Sequence, residues 1–219
     1  MLFLTFVLHE RDHRRSALAE WVAAHQATLT ALTGWTITPA DVTDDRLGHL
    51  LEVLGQDASQ ITAVQQAIGR HSVRVYALPT HVARVDTTSF NVTHALADAL
   101  AGWRISVTNS TPEDVSLVPA TALYREEWTV EHGFHRWKGG QVPALPLFLH
   151  IEWRIRGLML WLLIALQVRT LLEWQARRTL AAEQATVAGL VPGNPKMATA
   201  HPTAERLLVM FTSLHLLLH

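Results

Sequence analysis

Between residues 124 and 138 the sequence reads YREEWTVEHGFHRWK, and five of its side chains have the types and spacing for metal and phosphate chemistry. Tyr124, Glu127, Glu131, His135 and Lys138 follow one another at offsets of three, four, four and three. On a helix of about 3.6 residues per turn those offsets fall on one stripe. Glu131 offers the hard carboxylate oxygen that suits Mg²⁺, and Lys138 offers a point charge to a phosphate. Val130, Phe134 and Trp137 repeat at four and three on an adjoining stripe, which predicts one face for a core and a polar face for something else. His132 and His135 beside Glu131 suggest zinc. Against that, His132 stands about 100° around the helix from Glu131, and spacing supplies no third ligand.

The pattern Tyr-x2-Arg-x3-Glu-x6-Lys is the C-terminal signature of a large group of bacterial insertion-sequence transposases of the DDE class, which Tyr124, Glu131 and Lys138 resemble in spacing. One position departs: Glu127 stands where many members carry Arg, with Arg125 two places earlier. Upstream, RVYALPTHVARVDTTS resembles the segment around the first catalytic Asp of that group, and TPADVTDDRLGHLL resembles the helical region ahead of it. The resemblance implies an RNase H-like core that cleaves and joins DNA at transposon ends with Mg²⁺ or Mn²⁺. Asp86 and Glu131 are then the catalytic, metal-binding acids, and Tyr124, Arg125 and Lys138 the DNA contacts.

The elements needed to position two such acids do not fit between them. The interval from Asp86 to Glu131 holds 44 residues, 87–130. A whole core segment there needs roughly 75, at about 5–6 residues per strand, 11 per helix and 4 per connection. Asp98 lies in THALADALAG, which has helical periodicity, and Glu113 and Asp114 follow Pro112. None of the three follows a strand-like run, so none makes a second metal-binding Asp. GWRISVTN, residues 102–109, does read as a strand and resembles the last core strand of the family. The simplest account is an internal deletion. Two-metal phosphoryl transfer holds its ions about 3.5–4 Å apart, and losing a bridging carboxylate abolishes it. The expectation is a transposase by descent that is defective in strand cleavage. The alternative is a non-catalytic helical protein that associates with itself, or with full-length transposase, through surfaces the deletion uncovers.

The remaining chain predicts an α+β protein: an N-terminal helical bundle at 1–70, a shortened RNase H-like core at 71–140 and a C-terminal helical region at 141–219. Apolar spacing gives a helix over Ser16–Leu32, stopped by Gly34, and a second one ending at Gly55. Thr38 reads as an N-cap before Pro39. A third helix spans about 59–68 and ends at Gly69, after which Val73 and Val75, then Val82 and Val85, read as two strands split by Pro79. A long helical stretch follows from about Leu147 to Ala188, and a last helix is capped near Thr203. Its Arg154, Arg156, Arg169, Arg177 and Arg178 read as solvated or snorkelling side chains in preference to phosphate contacts.

With 49% hydrophobic and 17% charged residues the chain has material for a buried core, and it is not a disordered protein. A net charge of −1 and a pI near 6.9 count against a dedicated nucleic-acid binder, although 124–178 holds eight Lys/Arg against five Glu. Cysteine is absent, which removes disulfides, thiolate zinc sites and a cysteine nucleophile and fits the cytoplasm. MLFLTFVL has neither a basic lead nor a small-residue cleavage site, so it does not read as a signal peptide. Gly157–Val168 is uncharged for twelve residues, short of the about 20 that a bilayer span needs, which predicts a buried helix and no membrane.

Overall fold

The computed structural model describes residues 1–78, 116, 118, 128–139, 142 and 144–211. By contact the chain divides into two compact units, one formed by residues 1–78 with 135–219 and the other by 79–134. The architecture below is that of the first unit.

Its helices start and stop where local chemistry dictates. Helix α1 (Leu2–Glu10) buries Phe3, Leu4, Phe6 and Val7, and ends at Arg11, whose amide donates to the Val7 carbonyl at 3.0 Å. Helix α2 (Arg15–Thr33) buries Leu18, Trp21, Val22 and Leu29 at helical spacing. It is closed by Gly34 at φ 71°, a left-handed geometry that glycine adopts without a Cβ clash. Thr38 and Asp41 then form a capping box around a 3-10 turn at Pro39–Val42, and the Asp41 carboxylate accepts the Thr38 amide at 2.9 Å. The Thr38 hydroxyl and amide hold the Asp41 carboxyl below its ordinary value. Helix α3 (Asp44–Gln56) is capped by Thr43, and helix α4 (Ala58–Tyr76) by Asp57, which accepts the Ser59 amide at 2.7 Å. Helices α5 (Trp128–Gly139), α6 (Glu152–Ala182) and α7 (Ala204–Phe211) complete the described elements.

The 31-residue α6 is the axis on which α1, α3 and α7 pack. Against α3 the approach is close enough to exclude side chains. A Cβ added to Gly157 would stand 2.8 Å from the Leu51 carbonyl carbon and nearer still to its oxygen; one added to Gly55 would stand 2.8 Å from Gly157 N. Backbone therefore meets backbone, a geometry that only glycine permits. Arg154 of α6 braces the contact through Glu52 of α3 at 3.3 Å. Leu158, Leu162 and Ala165 of α6 join Phe6, Leu18, Val22 and Leu51 in one core. Among the described residues α6 is the one helix that meets the length and apolarity of a membrane span, and 33% of its apolar window is buried within this chain.

The α+β expectation is overturned. The described residues are helical and contain no sheet, only an isolated bridge between Val187 and Thr199, so they include no RNase H-like core. Val73 and Val75, expected in a strand, belong to the last turn of α4, and Gly69 does not stop that helix. The reason is tertiary. Tyr76 packs edge-on against Trp174 of α6 with ring centroids 6.1 Å apart, and Arg178 donates to the Tyr76 carbonyl at 2.9 Å. Those contacts satisfy and anchor the helix C-terminus beyond the point where propensity alone would let it fray. The strands expected around Val82–Val85 and at 102–109 lie outside the described residues.

Candidate functional site

Of the residues expected to do chemistry, Asp86, Tyr124 and Arg125 lie outside the described residues. Glu131 lies in the first turn of α5 and is exposed. Lys138 falls within α5, though its side chain is outside the described set. His132 and His135 are also exposed, and among the described residues no three His, Cys, Asp or Glu side chains converge as metal ligands. The adjoining apolar stripe is only partly realised. Trp137 packs at the edge of the core, while Phe134 remains 40% exposed.

Among the described side chains of this helix, the buried one is Arg136, at 6% exposure. Its guanidinium reaches two carboxylates at once. Nη2 donates to Glu173 Oε2 of α6, and Nε lies 2.8 Å from Glu205 Oε1 of α7. The same guanidinium also donates from Nη2 to Glu205 Oε2 at 3.2 Å, so Glu205 is held by an ion pair and a hydrogen bond together. Glu173 is held further by Arg177, 2.6 Å from its Oε1, and by the Ala204 amide, which donates to Oε2 at 3.0 Å. Arg169, 1% exposed, adds a third guanidinium 3.5 Å from Glu205. Three arginines and two glutamates thus pin α5, α6 and α7 together at one point.

Electrostatics follow from that crowding. Burial alone would raise the Glu205 carboxyl, but its own backbone amide, Arg136 and Arg169 outweigh it and hold the group below the ordinary 4.5. Burial, opposed by Glu205, lowers Arg169. Fixed charges of both signs facing one another make a structural cluster, with no nucleophile and no open ligand position. Sequence reasoning passed over Arg136 because it follows the polar stripe by one residue and reads as solvated. Its only signal is its place between His135 and Trp137, on the flank of the apolar stripe.

Two cavities open on the first unit. One of about 280 Å³ lies at the start of α2, walled by His13, Arg15, Asp44, Phe148 and Leu158. Its Arg15 is already paired with Asp44 at 3.0 Å. The other, about 270 Å³, is an apolar groove walled by Ile61, Trp137, Ile155, Met159 and Leu163. The C-terminal arginines have protein partners as well: Arg154 with Glu52, Arg156 with Glu152 at 2.5 Å, and Arg177 with Glu173. No family model matches this chain, and comparison with curated proteins and with solved structures gives no match either.

Proposed function

We propose that this chain derives from an insertion-sequence transposase of the DDE class and is defective in strand cleavage; the second reading is a non-catalytic helical protein that associates with itself or with full-length transposase. The observation that carries this reading is Arg136. In the very helix that bears the signature residues, it is locked into a buried ion cluster with α6 and α7, while Glu131 stands exposed in the first turn. Such a helix works as a packing element. Asp86 and Glu131 are the proposed remnants of a Mg²⁺ or Mn²⁺ site, and Tyr124, Arg125 and Lys138 the proposed contacts to transposon-end DNA. The cytoplasm is the proposed compartment.

The test is a supercoiled-plasmid nicking assay with Mg²⁺ or Mn²⁺. The expected result is no nicking above a metal-free control; nicking that disappears in Asp86→Ala would overturn the proposed defect. Self-association is favoured by the end of α2, where Leu32 is 68% and Trp35 75% exposed within three residues of each other. Light scattering behind size exclusion is expected to give a mass above that of one chain.

A further inference from the structure

His9, in the last turn of α1, presents one ring nitrogen to two partners that need it in opposite protonation states. The Trp21 indole N–H of α2 donates to His9 Nδ1 at 3.2 Å, a bond that requires a lone pair there. Glu10 Oε1 lies 2.7 Å from the same nitrogen, and an ionised carboxylate only accepts, so a hydrogen bond to it requires a proton there. Nδ1 cannot serve both. Burial decides the neutral state. Trp21 is 7% exposed and its indole has His9 as its acceptor, whereas Glu10 keeps 41% of its side chain in solvent and can be hydrated. A buried donor without an acceptor costs more than an exposed carboxylate given up to water, so neutral His9 keeps its lone pair on Nδ1 and its proton on Nε2. Protonating the ring puts an N–H on Nδ1. The imidazolium then donates to Glu10 in a charge-assisted bond, and the indole N–H is left facing another donor.

We infer that His9 is a pH-operated latch between α1 and α2: neutral, it accepts the Trp21 indole N–H and ties the two helices; protonated, it passes to Glu10 and lets Trp21 go. The charges around it act in the same direction. Glu10, on its own helix, favours the imidazolium. His25 of α2 stands edge-on with ring centroids 5.3 Å apart, and its Nδ1 donates to the Trp21 carbonyl at 2.8 Å whether or not the ring is charged. Both histidines gain charge in mild acid, and two imidazolium rings repel across the joint. Nearby, Asp12 is taken by Arg14, and Arg11 lies within reach of Arg169 of α6. Otherwise α6 meets α1 through the uncharged Trp161 on Phe3. The release is local. Phe3, Leu4, Phe6 and Val7 keep α1 in the core, so the last turn of α1 and the Trp21 ring that packs on Phe6 are what loosen.

The experiment is NMR of the ¹⁵N-labelled full-length chain from about pH 8 to about pH 5.5, the range in which histidine changes charge. Far-UV circular dichroism at both ends of the range checks that the fold is the same. At the upper end the neutral His9 ring is expected to carry its proton on Nε2. As pH falls, the Trp21 indole N–H resonance is expected to move along the titration curve of His9 itself. Amide exchange at the last turn of α1, corrected for its intrinsic pH dependence, is expected to rise by about three- to tenfold. In His9→Gln the indole resonance holds still through that range; in His25→Gln it still moves. His9→Gln changes a half-exposed side chain, and its melt at the upper pH checks that it is folded. Three results overturn the latch: a neutral His9 protonated on Nδ1, a Trp21 resonance that does not follow His9, or a movement that survives undiminished in His9→Gln. The first two are read on the unsubstituted chain, so the outcome does not depend on a variant folding.

Discussion

Arg136 and Glu205 set the first scale, because their environment differs most from what their residue types suggest. Removing one member of a buried ion pair strands the opposite charge in a dry site, at a cost of about 3–5 kcal/mol. Arg136→Ala is accordingly expected to lower stability by about 3 kcal/mol in denaturant melts, at the low end because Arg177 still pairs Glu173 and Arg169 still pairs Glu205. Arg136→Lys is expected to rescue only part of that loss, since a single ammonium cannot span two carboxylates as the guanidinium fork does. Glu205 also gives the protein an acid limb. Folding favours its ionised form, because its carboxyl sits below the ordinary 4.5 in the folded chain. Its contribution is therefore complete above that value and lost as pH falls through the lower folded-state value. Melting temperature against pH should fall on that limb in the native sequence, and in Glu205→Gln the fall should be smaller on a lower plateau.

At the scale of elements, the same residue type has opposite consequences in different helices. Gly157 of α6 and Gly55 of α3 sit where the two helices touch backbone to backbone, so a methyl group has nowhere to go. Helix propensity alone would credit alanine with about 1 kcal/mol over glycine. Overpacking is expected to reverse the sign, making Gly157→Ala destabilising by about 1–3 kcal/mol. Gly69 lies inside α4 with nothing within 4 Å of its missing Cβ. There Gly69→Ala is expected to stabilise by about 0.5–1 kcal/mol, as the propensity difference is unopposed. Thermal melts of the two variants side by side separate contact from propensity. The same logic accounts for α4 itself: a helix without a fully buried residue runs to Tyr76 because α6 supplies Trp174 and Arg178 at its end.

The whole first unit is built from both ends of the chain. Phe6, Leu18, Val22 and Leu51 from the N-terminal helices share a core with Leu158, Leu162 and Ala165 of α6. A fragment of residues 1–78 alone exposes the face of α3 that meets α6, including the contact at Leu51 and Gly55. Such a fragment is expected to show no cooperative melt by circular dichroism, and adding a second fragment of residues 135–219 should restore one. Separate melting of the 1–78 fragment at the temperature of the intact chain would show that the two segments are independent.

Helix limits were legible where a side chain or glycine sets them locally. Gly34 ends α2, Thr38 caps the turn that starts at Pro39, and α7 begins just after Thr203, as the sequence led one to expect; the caps at Thr43 and Asp57 were not read there, although short-range hydrogen bonding fixes them too. The apolar run Gly157–Val168, expected to be buried, is buried only in part: Gly157, Leu158, Leu160, Leu162 and Ala165 are, while Val168 is 40% exposed. The continuation of α4 through Gly69, Val73 and Val75 was not legible, since valine spacing at two residues suits a strand until Trp174 packs against Tyr76. Nor was the burial of Arg136, because a charged side chain enters a core only when carboxylates distant in sequence, here Glu173 and Glu205, arrive to meet it. Local hydrogen bonds and periodicity are properties of neighbouring residues, and the sequence determined them by itself. Backbone contact between Gly55 and Gly157, and charge balance around Arg136, depend on partners brought together only by the folded chain, so the tertiary structure decided them.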